Sequence, residues 1–183
     1  MRLRTYYDKI PKLIKSFLLR ALVIFVVWQF AYRLVLEPRR FPDGVLTNVT
    51  AYSTEKLLSL FYNNVSTLYP HRVDRKAATI LIDGHKIISV ADPCNALDIY
   101  VLYLSFLFCF PADWKRRTKF IVFGIAYIFV LNVIRCAIIA WMNIHYRGWV
   151  EISHHYIFTT ALYLLVFYVW VHYTKKGIAN EAG

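Results

Sequence analysis

The chain has 183 residues, of which 58% are hydrophobic, 17% aromatic and only 18% charged, with a mean hydropathy of +0.43. A soluble domain carries about 25% charged and about 45–50% apolar residues, so this composition excludes a disordered chain, a disulfide-rich secreted module and an ordinary cytosolic domain. Lys and Arg total 22 against 11 Asp and Glu, a net charge of +11; in a chain this apolar the excess is read first as membrane topology and not as a nucleic-acid footprint.

A helix needs roughly 20 mostly apolar residues to cross a bilayer core. Four segments meet that need: 16–36, 94–110, 120–141 and 154–173, the second near the lower limit. The first has too long an apolar run, with no small-x-small site after it, for a cleaved signal peptide, so it is expected to remain as an anchor. With the N-terminus inside, segments 1–15, 111–119 and 174–183 carry eleven basic residues against the acids Asp8, Asp113 and Glu181. Segments 37–93 and 142–153 carry nearly balanced charge. Positive charge collects on the cytoplasmic side. The expected fold is therefore an all-α polytopic membrane protein with four transmembrane helices and both ends cytoplasmic. Its parts are a basic N-terminus and first helix (1–36), an extracytoplasmic segment (37–93), a three-helix core (94–173) and a cytoplasmic tail (174–183).

The outer segment opens with the turn residues Glu37-Pro38 and Phe41-Pro42-Asp43-Gly44. Leu57, Leu58, Phe61, Val65 and Leu68 recur at helical spacing, which predicts an amphipathic helix over 51–68 lying on the outer bilayer surface or capping the bundle. Residues 78–82 and 86–90 flank Asp83-Gly84-His85, a β-hairpin signature. That hairpin leads straight into Asp92-Pro93-Cys94.

Ionisable groups inside a span are costly and tend to be paired or functional. Arg20 and Arg33 stand near the ends of the first helix and can snorkel to water. Asp98 and Arg135 cannot do so as easily. Arg135 lies about 22 Å up a core about 30 Å thick, and Asp98 about 6 Å below the outer face, so the two fall at one level and an ion pair between them is the simplest structural account. Asn132, one turn before Arg135, is placed to orient it. Cys94 opens the second span and His154 and His155 the fourth, so three helices converge on the outer rim. Cys109 and Cys136 read as small apolar core residues. The three cysteines, spaced by 15 and 27 residues, match no zinc pattern.

A thiolate is a strong nucleophile, favoured by a nearby imidazolium. A guanidinium supplies planar donors and permanent charge for an oxyanion, and an imidazolium can protonate a leaving amine. Such a set performs acyl transfer from a peptide through a thioester, with no metal and no cofactor. Cys94, then Asn132-Val133-Ile134-Arg135, then His154-His155-Tyr156-Ile157-Phe158, each in or opening an outer half-span, resemble the motifs of the exosortase/archaeosortase family. The resemblance covers roughly residues 85–170. It implies a multi-pass protein of the bacterial cytoplasmic membrane, with its site on the extracytoplasmic side. It further implies a cysteine transpeptidase or peptidase acting on membrane-anchored proteins with C-terminal sorting signals of the PEP-CTERM kind. Carried over, Cys94 is the nucleophile, Arg135 the oxyanion stabiliser and His154 the general acid/base with His155 in reserve. Asn95, Asp98 and Asn132 support them. Ala96 stands where the family commonly has Gly, and Asp98 where a basic residue is common.

Other readings of the same residues are a non-catalytic membrane assembly or secretion partner, a thiol oxidoreductase pairing Cys94 with Cys136, and a haem or quinone site on a histidine. The expected partners are the bilayer and membrane-anchored protein substrates, and no nucleic acid.

Overall fold

The structure, a computed structural model, describes residues 12–69, 77–110, 112–153 and 157–179, without the side chains of 12–14, 159 and 175–179. It is mostly helical, with one small sheet. Helix α1 runs over Lys12–Ala31 and continues through a π-type turn, Tyr32–Leu36, into Glu37–Arg39. Pro38 falls in the first turn of that last piece, where its missing N–H is not needed. The helix stops at Arg40, whose backbone is left-handed (φ 49°).

The chain then doubles back through a cis Phe41-Pro42 peptide into α2, Asp43–Leu58. This corrects the helix expected over 51–68. It starts and ends earlier, and residues 65–68 form a strand. Of the expected apolar stripe Leu58 is buried, but Phe61 and Leu68 are exposed, and the buried face is mainly polar: Asp43, Thr47, Thr50, Ala51, Thr54 and Leu58. Thr47 and Asp43 on this face find partners in the rest of the fold, which periodicity of apolar residues cannot register.

Strands β1 (Val65–Leu68), β2 (Ala77–Ile82) and β3 (His85–Ala91) form an antiparallel sheet in that order. The hairpin is as expected: Asp83 (φ 51°) and Gly84 (φ 78°) are both left-handed, as a two-residue type I′ turn requires. β1 adds a third strand, with Val65 opposite Ile82. Ala78, Ile80 and Ile82 alternate inward, and the first two join Val90, Ala51, Leu58, Cys136 and Ala140 in one cluster.

After a short 3₁₀ turn, Asp92–Cys94, helix α3 spans Leu97–Cys109, α4 spans Trp114–His145, and α5 spans Phe158–Ala179. A second cluster holds these three together through Tyr103, Leu107, Ile128, Leu162, Val166 and Tyr173. Gly124 allows α4 to approach Tyr103, whose ring occupies the space a Cβ would need and whose hydroxyl donates to the Phe120 carbonyl at 2.7 Å. Thus α4 belongs to both clusters. Its first two-thirds pack on α3 and α5, and its last third packs on α2 and the sheet.

Two helices, Lys15–Arg39 and Trp114–His145, are long and apolar enough to cross a membrane. α3 and the described part of α5 are apolar but shorter. At about 1.5 Å per residue the 13 residues of α3 reach only about 20 Å. Leu19, Phe25, Phe30, Val122, Leu164 and Phe167 are all more than half exposed. An apolar surface of this extent on helices of this length is that of a membrane protein.

Candidate active site

Cys94 ends the 3₁₀ turn that leaves β3, and Asn95 N–H closes the turn on the Asp92 carbonyl at 3.1 Å. The helix expected to open at Cys94 therefore opens at Leu97, and the thiol sits on the turn before it. Pro93 stands early in that turn, where its fixed φ suits it.

Three helices hold this turn. From the α1 end, Arg40 grips the Asp92 carboxylate with two hydrogen bonds, Nε to Oδ2 at 3.0 Å and Nη2 to Oδ1 at 2.7 Å. From α2, the Thr47 hydroxyl donates to Asp92 Oδ1 at 2.8 Å. The hydrogen bond to Asp92 raises the Arg40 pKa above its already high value, so the guanidinium stays charged. From α4, Asn132 Nδ2 donates to the Cys94 carbonyl at 3.0 Å. Asn132 was expected to orient Arg135; it holds the main chain of Cys94. Its Oδ1 is buried with no hydrogen-bond partner among the described residues, which leaves an acceptor at the site.

Asn95 is 1% exposed. Its Nδ2 donates to Asp43 Oδ1 at 2.9 Å, and its Oδ1 accepts the Leu97 N–H at 2.8 Å, so one side chain ties α2 to the start of α3. Asp43 also accepts the Tyr32 hydroxyl at 3.0 Å. The next residue, Ala96, caps α3 in the left-handed region (φ 65°). Here a side chain is strained by about 1–2 kcal/mol and glycine is not. Ala96→Gly should keep the turn, leave the thiol accessible, and shift the midpoint of thermal unfolding in detergent upward or leave it unchanged. A large downward shift would mean that Ala96 is held by packing and not by strain.

A cavity of about 300 Å³ opens beside the turn, lined by Pro93, Asn95, Ala96, Asp98, Arg135 and Tyr163, with Tyr32, Glu37, Arg40, Asp43 and Asp92 at its α1–α2 side. Arg135 is half-buried and follows Asn132 by one turn of α4, so the helix that holds Cys94 also carries the guanidinium to the cavity. The Asp98–Arg135 ion pair is not formed. Among the described residues the ion pairs are Arg40–Asp92 and Lys56–Glu55. Asp98 is exposed at the cavity rim, one residue into α3.

Cys94 is half-buried against the cluster that contains Cys136, and neither cysteine forms a disulfide. Cys109 is buried at the far end of α3. His85 is exposed at the hairpin tip. His154 and His155 lie outside the described residues, between Ser153, which is buried, and Ile157, which is exposed.

Arg40, Asp92, Thr47, Asp43 and Tyr32 were not singled out from the sequence. One signal was available: Asp43, Thr47, Thr50 and Thr54 recur at helical spacing, a polar stripe that marks a face with polar partners.

A model of the family described as transmembrane exosortase (Exosortase_EpsH) matches residues 11–170. Searches against curated proteins and solved structures give no match.

Proposed function

This chain belongs to the transmembrane exosortase family, and from that premise we propose that it is a membrane-embedded cysteine transpeptidase or peptidase that cleaves C-terminal sorting signals of exported proteins. The observation that carries this reading is the Asn132–Cys94 hydrogen bond. It couples the thiol-bearing turn to the helix of Arg135, whose side chain lines the adjoining cavity.

In the proposed reaction the Cys94 thiolate attacks the scissile carbonyl carbon, and the C=O electron pair moves to oxygen. Arg135 donates to that oxyanion. A guanidinium already placed at the cavity stabilises the charge as it develops. As the C–N bond breaks, the His154 imidazolium gives its proton to the leaving amine, and the acyl group remains on sulfur as a thioester. An amine acceptor, or water, then loses its proton to His154 and attacks the thioester, and the Cys94 thiolate departs. The buried Asn132 Oδ1 is an acceptor suited to a substrate N–H, because an unsatisfied buried acceptor costs about 1–3 kcal/mol.

The topology that suits this chemistry is four passes with both ends cytoplasmic, supported by the eleven basic residues of the inner segments. The sheet, α2 and the Cys94 turn then face the extracytoplasmic side of the bacterial inner membrane. α3 needs its flanking turns, or locally thinned bilayer, to complete its crossing.

The test is alkylation of intact cells with a membrane-impermeant maleimide across pH. Rapid labelling of Cys94, slowed at neutral pH by His154→Ala but not by His155→Ala, is the expected result. If Cys94 is not reached from outside, or if its labelling follows one profile in the wild type and every variant, the enzymatic reading fails. A non-catalytic assembly partner is then the better reading.

A further inference from the structure

We propose that the seam between α4 and α5, at the end of the bundle remote from the sheet, is a binding site for one anionic phospholipid. A groove of about 420 Å³ runs there, with Lys119 and His172 at its mouth. Above them its walls are aromatic. Phe123 and Tyr127 stack with ring centroids 5.6 Å apart, and Tyr168 faces them from α5 over the buried floor of Val169. Phe123 is 55% and Tyr168 70% exposed, so the groove opens sideways, toward lipid in a membrane protein.

The polarity of the groove selects its occupant. Its apolar length starts next to a cation and runs from Lys119 to Tyr127, about 12 Å along α4. At that depth no water is available to fill it, and an acyl chain meets the same apolar environment it has in the bilayer. Lys119 makes no ion pair among the described residues. Its neighbour Arg116 is already engaged, donating to the Tyr173 carbonyl and lying over the Phe120 and Tyr173 rings at 5.7 and 5.2 Å. Arg116 is thus committed to Tyr173 and Phe120, while Lys119 and His172 stand at the groove's mouth for a phosphodiester. Lys115 and Arg117, four and two residues before Lys119 on α4, add to the positive field at this end. Basic groups between helices at the membrane surface favour anionic over zwitterionic headgroups by about 1 kcal/mol each. The site lies at the opposite end of the bundle from Cys94 and stands independently of the proposed reaction.

The experiment compares phosphatidylglycerol with phosphatidylcholine of identical chains, added to the full-length protein in non-ionic detergent. Retained lipid is counted by native mass spectrometry and the unfolding midpoint is followed. The wild type should retain about one phosphatidylglycerol and unfold at a higher temperature with it than with phosphatidylcholine. Lys119→Glu should lower phosphatidylglycerol retention about fivefold or more, with phosphatidylcholine retention and the lipid-free midpoint unchanged. A photo-crosslinking residue at Tyr168 should capture phosphatidylglycerol in preference to phosphatidylcholine, whereas one at Tyr163, on the active-site side of α5, should not discriminate. If Lys119→Glu does not fold, Lys119→Gln and the crosslinks decide the matter. Equal retention of the two lipids, preference unaffected at Lys119, or an equal midpoint shift from inorganic phosphate alone would overturn the proposal.

Discussion

Arg135→Lys is expected to lower processing of a co-expressed protein carrying a C-terminal sorting signal by about 100-fold or more, with the protein still folded. Loss of a single oxyanion donor costs about 10²–10³ in turnover. Lysine keeps the charge, but its compact ammonium cannot reproduce the guanidinium fork. Cys94→Ala should abolish processing, and His154→Ala should do so where His155→Ala does not. The readout is loss of the substrate's C-terminal segment, with thermal unfolding in detergent as the folding control. Normal processing by the lysine variant would remove the oxyanion role from Arg135. The family match then stands, because it does not depend on which residue holds the oxyanion.

The second large effect is expected at the Arg40–Asp92 clamp. Both side chains are about nine-tenths buried, at 10% and 11% exposure. Removing one partner of a buried pair leaves the other charged and desolvated, at a cost of about 3–5 kcal/mol. The polar cavity beside this pair admits some water, so Asp92→Ala or Arg40→Met should each destabilise by about 2–3 kcal/mol. The double variant Arg40→Met with Asp92→Leu should be more stable than the sum of the two losses, because no isolated charge remains. A double-mutant cycle in denaturant would measure this. Strict additivity would mean that the pair contributes little and the turn is held by Thr47 and Asn132. Activity should fall in all three variants even where stability recovers, since Asp92 is two residues from Cys94 and a small displacement of a nucleophile costs disproportionately in rate.

Left-handed backbone recurs at the elements around the thiol. Arg40 and Ala96 both have positive φ. Each costs about 1–2 kcal/mol in a non-glycine residue and persists only where the surroundings fix it. Arg40 is fixed by its grip on Asp92, and Ala96 by the Asn95 bonds on one side and the start of α3 on the other. The strain is therefore spent on two corners that bring α1, α2 and α3 to the site.

Much of the protein was determined by local information in its sequence. The apolar lengths of 16–36 and 120–141 sufficed for the two long helices, since burial in a bilayer is a property of each segment by itself. Asp83-Gly84 between alternating strands sufficed for the hairpin, because the turn's backbone requirement is met by those two residues alone. The order Cys94, then Asn132 with Arg135, then His154-His155 was enough to place the family. Other features were decided only when the helices packed. α2 buries threonines and an aspartate, because its partners are Asp92, Asn95 and Tyr32, up to 52 residues away in the chain. Of the apolar stripe that suggested a helix over 51–68, Leu58 stayed inside, Phe61 turned outward and residues 65–68 became a strand. Asp98 and Arg135, expected at one depth, do not pair with each other, because depth says nothing of rotation about the helix axis. Asn132 went to the Cys94 carbonyl for the same reason. A hydrogen bond forms where packing brings donor and acceptor within reach, and in this chain that reach is set by two turns, at Arg40 and at Cys94, whose geometry depends on residues far from either.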